Sequence, residues 1–358
     1  MNQTQHKILS LLWKEEKLSP KDISHILGID ASTVSRNIRV LLKHRYVLEV
    51  GEMQSGPYGG RKAKIYSVNP NRFNVLGIGI EQSKIVISSI NTKGEKVFSK
   101  RWTKSLSKEN LVESIVEYSK EFIDEDVLAV SISMPGIVDT QEGKILFCAA
   151  LGLNDFNLKS ELEKYIEKDI FILNDANAAA SFYTPMWKNL IYFLITVPYD
   201  LSENVGLGSG IIIDGKMYTG SAMSAGEFPL DTLPPLFKGS KAPYKTISEI
   251  RSKRISYRQT RRFVDKLTEN ISKVAYVFDP DAIILGGDIY VFKEDVFIKI
   301  KNEILNVLDQ KPHSKTILLI DENGLETVAS GGAKAILNRF INEFEFAYKL
   351  IKDGELRS

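Results

Sequence analysis

The decapeptide FILNDANAAA at residues 171–180 restricts the fold of this chain more than any other stretch. Its apolar start, Phe171-Ile172-Leu173, has the length and composition of the end of a buried strand. Two polar residues follow, Asn174 and Asp175, and then an alanine-rich segment of high helix propensity. A strand that gives way to a helix within two residues belongs to an α/β layer structure. An aspartate at that junction has two uses. It can cap the helix, or it can point into the crevice beyond the carboxyl ends of the strands, where open α/β sheets hold ligands.

The body of the chain repeats this alternation. Apolar runs predict strands over residues 75–80, 84–91 and 96–103, with a turn at Asn91-Thr92-Lys93-Gly94 between the last two. An amphipathic helix is expected over 110–123. A buried strand over 127–134 runs into Pro135-Gly136, and a helix over 158–167 leads to the strand at 171. A second set follows. It has a strand over 190–197, a glycine-rich turn over 204–210, and a hairpin around Asp214-Gly215. A long helix over 261–278 and a strand over 282–285 ending in Gly286-Gly287 come next. The chain closes on Gly331-Gly332 and an apolar helix over 336–351. The glycines at 206, 208 and 210 could converge backbone N–H groups on a phosphate. They could equally serve a tight hairpin.

Charge sets the front of the chain apart. Residues 1–72 hold twelve Lys or Arg against six Asp or Glu, whereas the remainder holds 35 against 39. A basic module on a mildly acidic body points to a polyanionic partner at the front only. No apolar run approaches the roughly 20 residues that span a bilayer, and the first ten residues lack a signal-peptide core. The single cysteine, Cys148, leaves no disulfide and no thiolate zinc site. A cytoplasmic protein without membrane contact is expected.

Within the front module, residues 5–15 carry Ile8, Leu9, Leu11 and Leu12 on one helical face. Ser19-Pro20 reads as an N-cap with proline at the first helical position, and Gly28 as the helix stop. Asp30 or Ser32 then caps a third helix running to 44. Its core face is Val34, Ile38, Leu41 and Leu42. Its outer face is Ser32, Thr33, Ser35, Arg36, Asn37, Arg39 and Lys43. A short helix, a glycine-containing turn and a second helix with a basic outer face have helix-turn-helix spacing. A strand over 46–50, a turn-rich stretch over 51–60 and a strand over 63–68 complete a wing, with Arg61 and Lys62 at its base. DNA binding is expected, with the arginines on base edges or backbone. The competing reading is a three-helix module that binds protein.

In this order the pieces SISMPGIVD, LNDANAAA, GLGSGIIIDGKMYTG, SAGEFPL, DPDAIILGGDI and ASGGAKA resemble the ROK family. The family takes its name from repressors, open reading frames and kinases, and lies within the actin-like ATPase and sugar-kinase superfamily. The winged helix with its GGRK turn looks like the repressor branch. The resemblance implies two ribonuclease-H-like lobes around a hinge, usually in a dimer or tetramer, with sugar and ATP between the lobes in the kinases. It implies residues 1–70 as the DNA-binding domain, 71–174 with 336–358 as the first lobe, and 175–335 as the second. It places Asn174 and Asp175 on the sugar-binding pair, whose aspartate is the kinase base, and Glu227 on a sugar-hydroxyl ligand. Glu249 falls near a second such glutamate. For both glutamates a solvated surface is the competing reading.

The departures from the family carry as much information. Kinases of the family read Asp-x-Gly-Gly-Thr-Lys after the first strand, where this chain has Gly79-Ile80-Glu81-Gln82-Ser83-Lys84. Glu81 would repel a triphosphate. The histidine after the SAGE glutamate is Leu230. The zinc-binding cluster is replaced by residues 232–245, without Cys or His. The sugar-lining Asn-Leu-Gly-Trp is Ala150-Leu151-Gly152-Leu153. The expectation is a transcriptional regulator, a repressor, on operator DNA, with a sugar-type effector near Asp175. No zinc, ATP or catalytic residue is expected, Asp175 being a vestigial base. The alternative is a ROK-type hexose kinase with an appended DNA-binding module.

Overall fold

The computed structural model describes residues 1–52, 63–198, 201–237, 254–310 and 315–356. Three helices lead: α1 (Gln3–Glu15), α2 (Pro20–Leu27) and α3 (Ala31–Lys43). Local chemistry sets each boundary. Asn2 and Gln5 form a capping box at α1. Ser19 and Asp22 form another at α2, with Pro20 at its first position. Gly28 ends α2 at φ 63°, in the left-handed region. Asp30, rather than Ser32, caps α3 by accepting from the N–H groups of Ser32 and Thr33. Antiparallel strands β1 (Val47–Glu52) and β2 (Lys64–Val68) form the wing, and Leu18 adds a bridge to Tyr66.

The body holds two five-stranded sheets of the same design. The first is built from β3 (Asn74–Glu81), β4 (Lys84–Asn91), β5 (Lys96–Thr103), β6 (Val127–Met134) and β10 (Asp169–Asn174), in the order β10-β6-β3-β4-β5. The second uses β11 (Leu190–Thr196), β12 (Gly206–Ile213), β13 (Lys216–Tyr218), β14 (Ala282–Gly287) and β15 (Ile317–Ile320), in the order β13-β12-β11-β14-β15. In each, an antiparallel three-strand meander is followed by two parallel strands on the opposite edge. A small sheet of β7 (Ile137–Asp139), β8 (Lys144–Cys148) and β9 (Leu153–Phe156) extends the first lobe.

Short helices α4 (Leu111–Ser119) and α5 (Leu158–Leu162) cover the first sheet, and α7 (Tyr257–Phe278) and α8 (Glu294–Leu308) cover the second. Between the sheets lie two crossing helices, α6 (Asp175–Tyr183) and α9 (Leu325–Asn342). Helix α6 packs on β11 and β12, and α9 packs on β3, β4 and β6. Where they cross, a Cβ on Gly331 would lie 2.0 Å from the Ala178 carbonyl oxygen, so only glycine fits there. Helix α10 (Phe344–Leu356) ends the chain.

Several expectations need correction. The stretch 204–210 is not a glycine turn. From Gly206 it is strand β12, and a Cβ at Gly210 would lie 2.2 Å from the Ala176 carbonyl oxygen. Gly210 thus lets α6 lie close against the sheet. Gly331-Gly332 lie inside α9, not at its start. The single C-terminal helix expected over 336–351 breaks at Glu343, whose φ of −116° and ψ of 104° are extended. The helix expected over 158–167 stops at Leu162, and that over 110–123 passes into a 3₁₀ turn after Ser119.

Candidate nucleic-acid interface and ligand cleft

The first site is the outer face of α3. Ser32, Arg36, Arg39 and Lys43 are exposed, and Thr33 and Ser35 are half-buried. Arg36, Arg39 and Lys43 sit three and four residues apart, so one helical face carries all three cations. Asn37 does not belong to that face. It is 9% exposed, its amide donates to the Thr33 carbonyl at 2.9 Å, and its carbonyl oxygen accepts from Asn2. Its polarity is spent on fixing α3 against the start of α1. Behind the face, Val34, Ile38 and Leu41 join Ile8, Leu9, Leu12, Ile23, Tyr46 and Val47 in one core. Arg61 and Lys62 lie outside the described residues.

The second site is the cleft at the β10–α6 junction. Asn174 ends β10 and caps α6, accepting from the Asn177 N–H at 3.0 Å. Its amide donates to the Gly136 carbonyl at 3.0 Å and, at 3.4 Å, to Oε1 of Glu227. The cap is therefore Asn174 rather than Asp175. Asp175 is 9% exposed, and its carboxylate accepts from the Ala176 N–H at 2.8 Å. Burial pushes its pKa from 3.8 up to about 7, and the charges of Glu227 and Glu81 push the same way. Cys148, beside it, is raised to about 11, chiefly by burial.

Glu227 reaches the cleft from a loop pinned to β12. The Gly226 carbonyl oxygen accepts from both the N–H and the hydroxyl of Ser209. A Cβ on Gly226 would lie 1.9 Å from the Ser209 carbonyl oxygen, and its φ is +90°, so glycine is required there twice over. Burial raises the Glu227 pKa. The structure thus brings Asn174, Asp175 and Glu227 together. Glu249 lies outside the described residues. The Gly136 carbonyl and Cys148 were not foreseen, since neither residue type announces a role at a distance.

Gln82-Ser83 form a two-residue turn that closes the β3–β4 hairpin, with Glu81 opposite Lys84. None of its residues takes a left-handed φ. The Glu81 carboxylate is held by Lys84 Nζ at 2.7 Å. A Cβ at Gly79 would stand 2.9 Å from the Leu325 carbonyl oxygen, so α9 crowds that position. No helix among the described residues is long and apolar enough to cross a membrane.

Residues 75–235 match the ROK family, and residues 1–47 match a winged helix-turn-helix DNA-binding family. The xylose repressor of Bacillus subtilis is 23% identical over 94% of this chain and 96% of its own length. The xylose repressor of Caldicellulosiruptor bescii is 28% identical over 62% of this chain, which spans 56% of that protein. Among solved structures, a ROK family transcriptional regulator described as a homologue of the E. coli MLC protein superposes with a TM-score of 0.70 at 16% identity, over 98% of both chains. A ROK family glucokinase from Streptomyces griseus, in complex with glucose and AMPPNP, superposes with a TM-score of 0.58 at 21% identity, over 73% of this chain and 98% of its own. These structures share the fold.

Proposed function

We propose that this chain, whose residues 75–235 match the ROK family and whose residues 1–47 match a winged helix-turn-helix DNA-binding family, is a transcriptional repressor whose operator affinity is set by a sugar in the cleft. The observation that carries the reading is the face of α3: three cations at helical spacing on a helix whose opposite face is core. Ser32, Thr33 and Ser35 at the start of α3 approach base edges. Arg36 and Arg39 contact bases or phosphates, and Lys43, with Arg61 and Lys62 of the wing, contacts phosphates. Two copies bind a pseudo-palindrome, because one such helix reads only a half-site.

The effector is an uncharged polyol. Asn174, Asp175 and Glu227 offer acceptors and an amide, and the carboxylates disfavour an anionic ligand. D-Xylose is the first candidate, from the names of the relatives. Closure of the lobes around the sugar at the α6–α9 crossing changes the distance between the two readers.

The competing reading, a hexose kinase, has one feature in its favour, a buried aspartate titrating near neutrality in the position of a base. Against it stand the glycine-free turn at 82–83, the Glu81–Lys84 pair and the crowding at Gly79. These residues do not fit a triphosphate, and we assign the chain no ATP, zinc or catalytic step.

Fluorescence anisotropy on the chain's own upstream DNA, at two salt concentrations and with D-xylose, D-glucose and N-acetylglucosamine, tests the proposal. Salt-sensitive, sequence-selective binding that one sugar weakens is the expected result. Absence of selective binding by a folded protein refutes it. ATP-dependent sugar phosphorylation that disappears in Asp175→Asn would establish the kinase instead.

A further inference from the structure

The DNA reader in this structure is not hung on a free linker. His6, on the inner face of α1, is buried, and its Nε2–H donates to the Phe340 carbonyl at 2.9 Å. That carbonyl lies in the last turn of α9, where helices leave carbonyls without intrahelical partners. The His6 ring also meets the Phe344 ring edge-on, with centroids 5.7 Å apart. One turn beyond the middle of α1, Trp13 Nε1–H donates to the Thr92 carbonyl at 3.1 Å. Thr92 sits in the β4–β5 turn, and its hydroxyl is bonded in turn to both the carbonyl and the N–H of Phe73.

The connecting segment is held as firmly. Asn69 donates to the Arg45 carbonyl at 2.7 Å, and the Arg72 guanidinium lies 4.7 Å from the Tyr46 ring centroid. Phe73 packs edge-on against Phe340 at 5.0 Å. Ile8, Leu9 and Leu12 of the reader share one core with Ile336, Leu337 and Ile341 of α9. The reader is therefore attached to the very helix that crosses α6, and α6 begins at Asp175.

We infer that His6 and Trp13 are positioning residues that clamp the reader to α9 and the first sheet, so that reader and first lobe move as one body and the second lobe swings against them. This rests on the regulator reading above. It makes operator geometry a property of the lobe angle. A tethered reader would adapt its own position to any half-site spacing. A clamped reader cannot.

The test uses full-length chain with His6→Phe, which keeps a ring against Phe344 but loses the donor, Trp13→Phe, and the double variant. Two readouts separate clamp from DNA recognition. The first is amide hydrogen exchange without DNA. Protection in α1 should fall about tenfold or more in the double variant, because one buried and one part-buried hydrogen bond are gone, while the second sheet keeps its protection. Unchanged exchange in α1 overturns the clamp. The second compares a full two-half-site operator with a single half-site. The double variant should bind the full site about tenfold more weakly and the half-site as the wild type does. Equal loss on both duplexes overturns the positioning role, since His6 and Trp13 would then serve only the reader's own fold. If the wild-type chain selects no DNA, the regulator reading fails with the operator half of this inference, and the exchange experiment alone decides the clamp.

Discussion

Replacing Asp175 by asparagine should stabilise this protein at neutral pH and leave it nearly unchanged in acid. Burial first, then the fields of Glu227 and Glu81, raise the carboxyl from 3.8 to about 7. In the unfolded chain it titrates near its ordinary value. Below about pH 3.8 both states hold the proton. Between that pH and about 7 the folded state keeps a proton the unfolded state has lost, so stability falls as pH rises through the window. Above about 7 the loss is complete. A shift of about three pH units at about 1.36 kcal/mol each amounts to roughly 4 kcal/mol. Asparagine keeps the acceptor for the Ala176 N–H and carries no charge. Urea unfolding of both proteins at pH 4, 5.5 and 7.5 gives the comparison. The difference, variant minus wild type, should grow from near zero to about 4 kcal/mol. Glu227, raised in the same direction, loses stability with pH in both proteins and largely cancels. A difference that stays flat within about 1 kcal/mol across this range refutes the argument, because a buried aspartate with an ordinary pKa gives no slope.

Arg36→Ala and Arg39→Ala should each weaken operator binding by about 1–3 kcal/mol, and whichever of the two lies on phosphate should also reduce the salt slope by about one, read by anisotropy at several salt concentrations. Asn37→Ala should lower thermal stability by about 1 kcal/mol through loss of its bond to Thr33, with operator sequence preference unchanged in a selection experiment. Gly226→Ala should cost about 1–3 kcal/mol from overpacking and a left-handed φ and abolish the sugar response, because it displaces Glu227 from Asn174. Calorimetry and anisotropy with D-xylose check both halves.

What the sequence made legible was local. Ser19-Pro20, Gly28 and the Asn174-Asp175 junction were readable because capping and strand-to-helix switches are written within four residues. The ROK motifs then implied which residues meet in the cleft, and the structure brings Asn174 and Glu227 to 3.4 Å. What stayed hidden was set at long range. Asn37 looks like a member of a polar face until Asn2 arrives beside it. Gly206, Gly208 and Gly210 read as a turn because composition cannot reveal that α6 will lie against a strand. Helix α8 and strand β15 fall outside the elements expected from the sequence, although the first carries Val296, Ile300 and Ile304 at helical spacing. The apolar pattern over 336–351 runs through the break at Glu343 because both halves bury residues in the same core.

The shared core of α1 and α9 also bears on modular transplantation. The charge break near residue 72 invites a cut there, as though the reader were a self-contained cassette. Such a cut strips Ile8, Leu9 and Leu12 of Ile336, Leu337 and Phe340, and leaves His6 facing water where Phe340 stood. A recombinant regulator assembled from this reader and a foreign sensing body therefore inherits an apolar scar unless α9 and α10 travel with it. The portable unit is discontinuous, with one piece at each end of the chain.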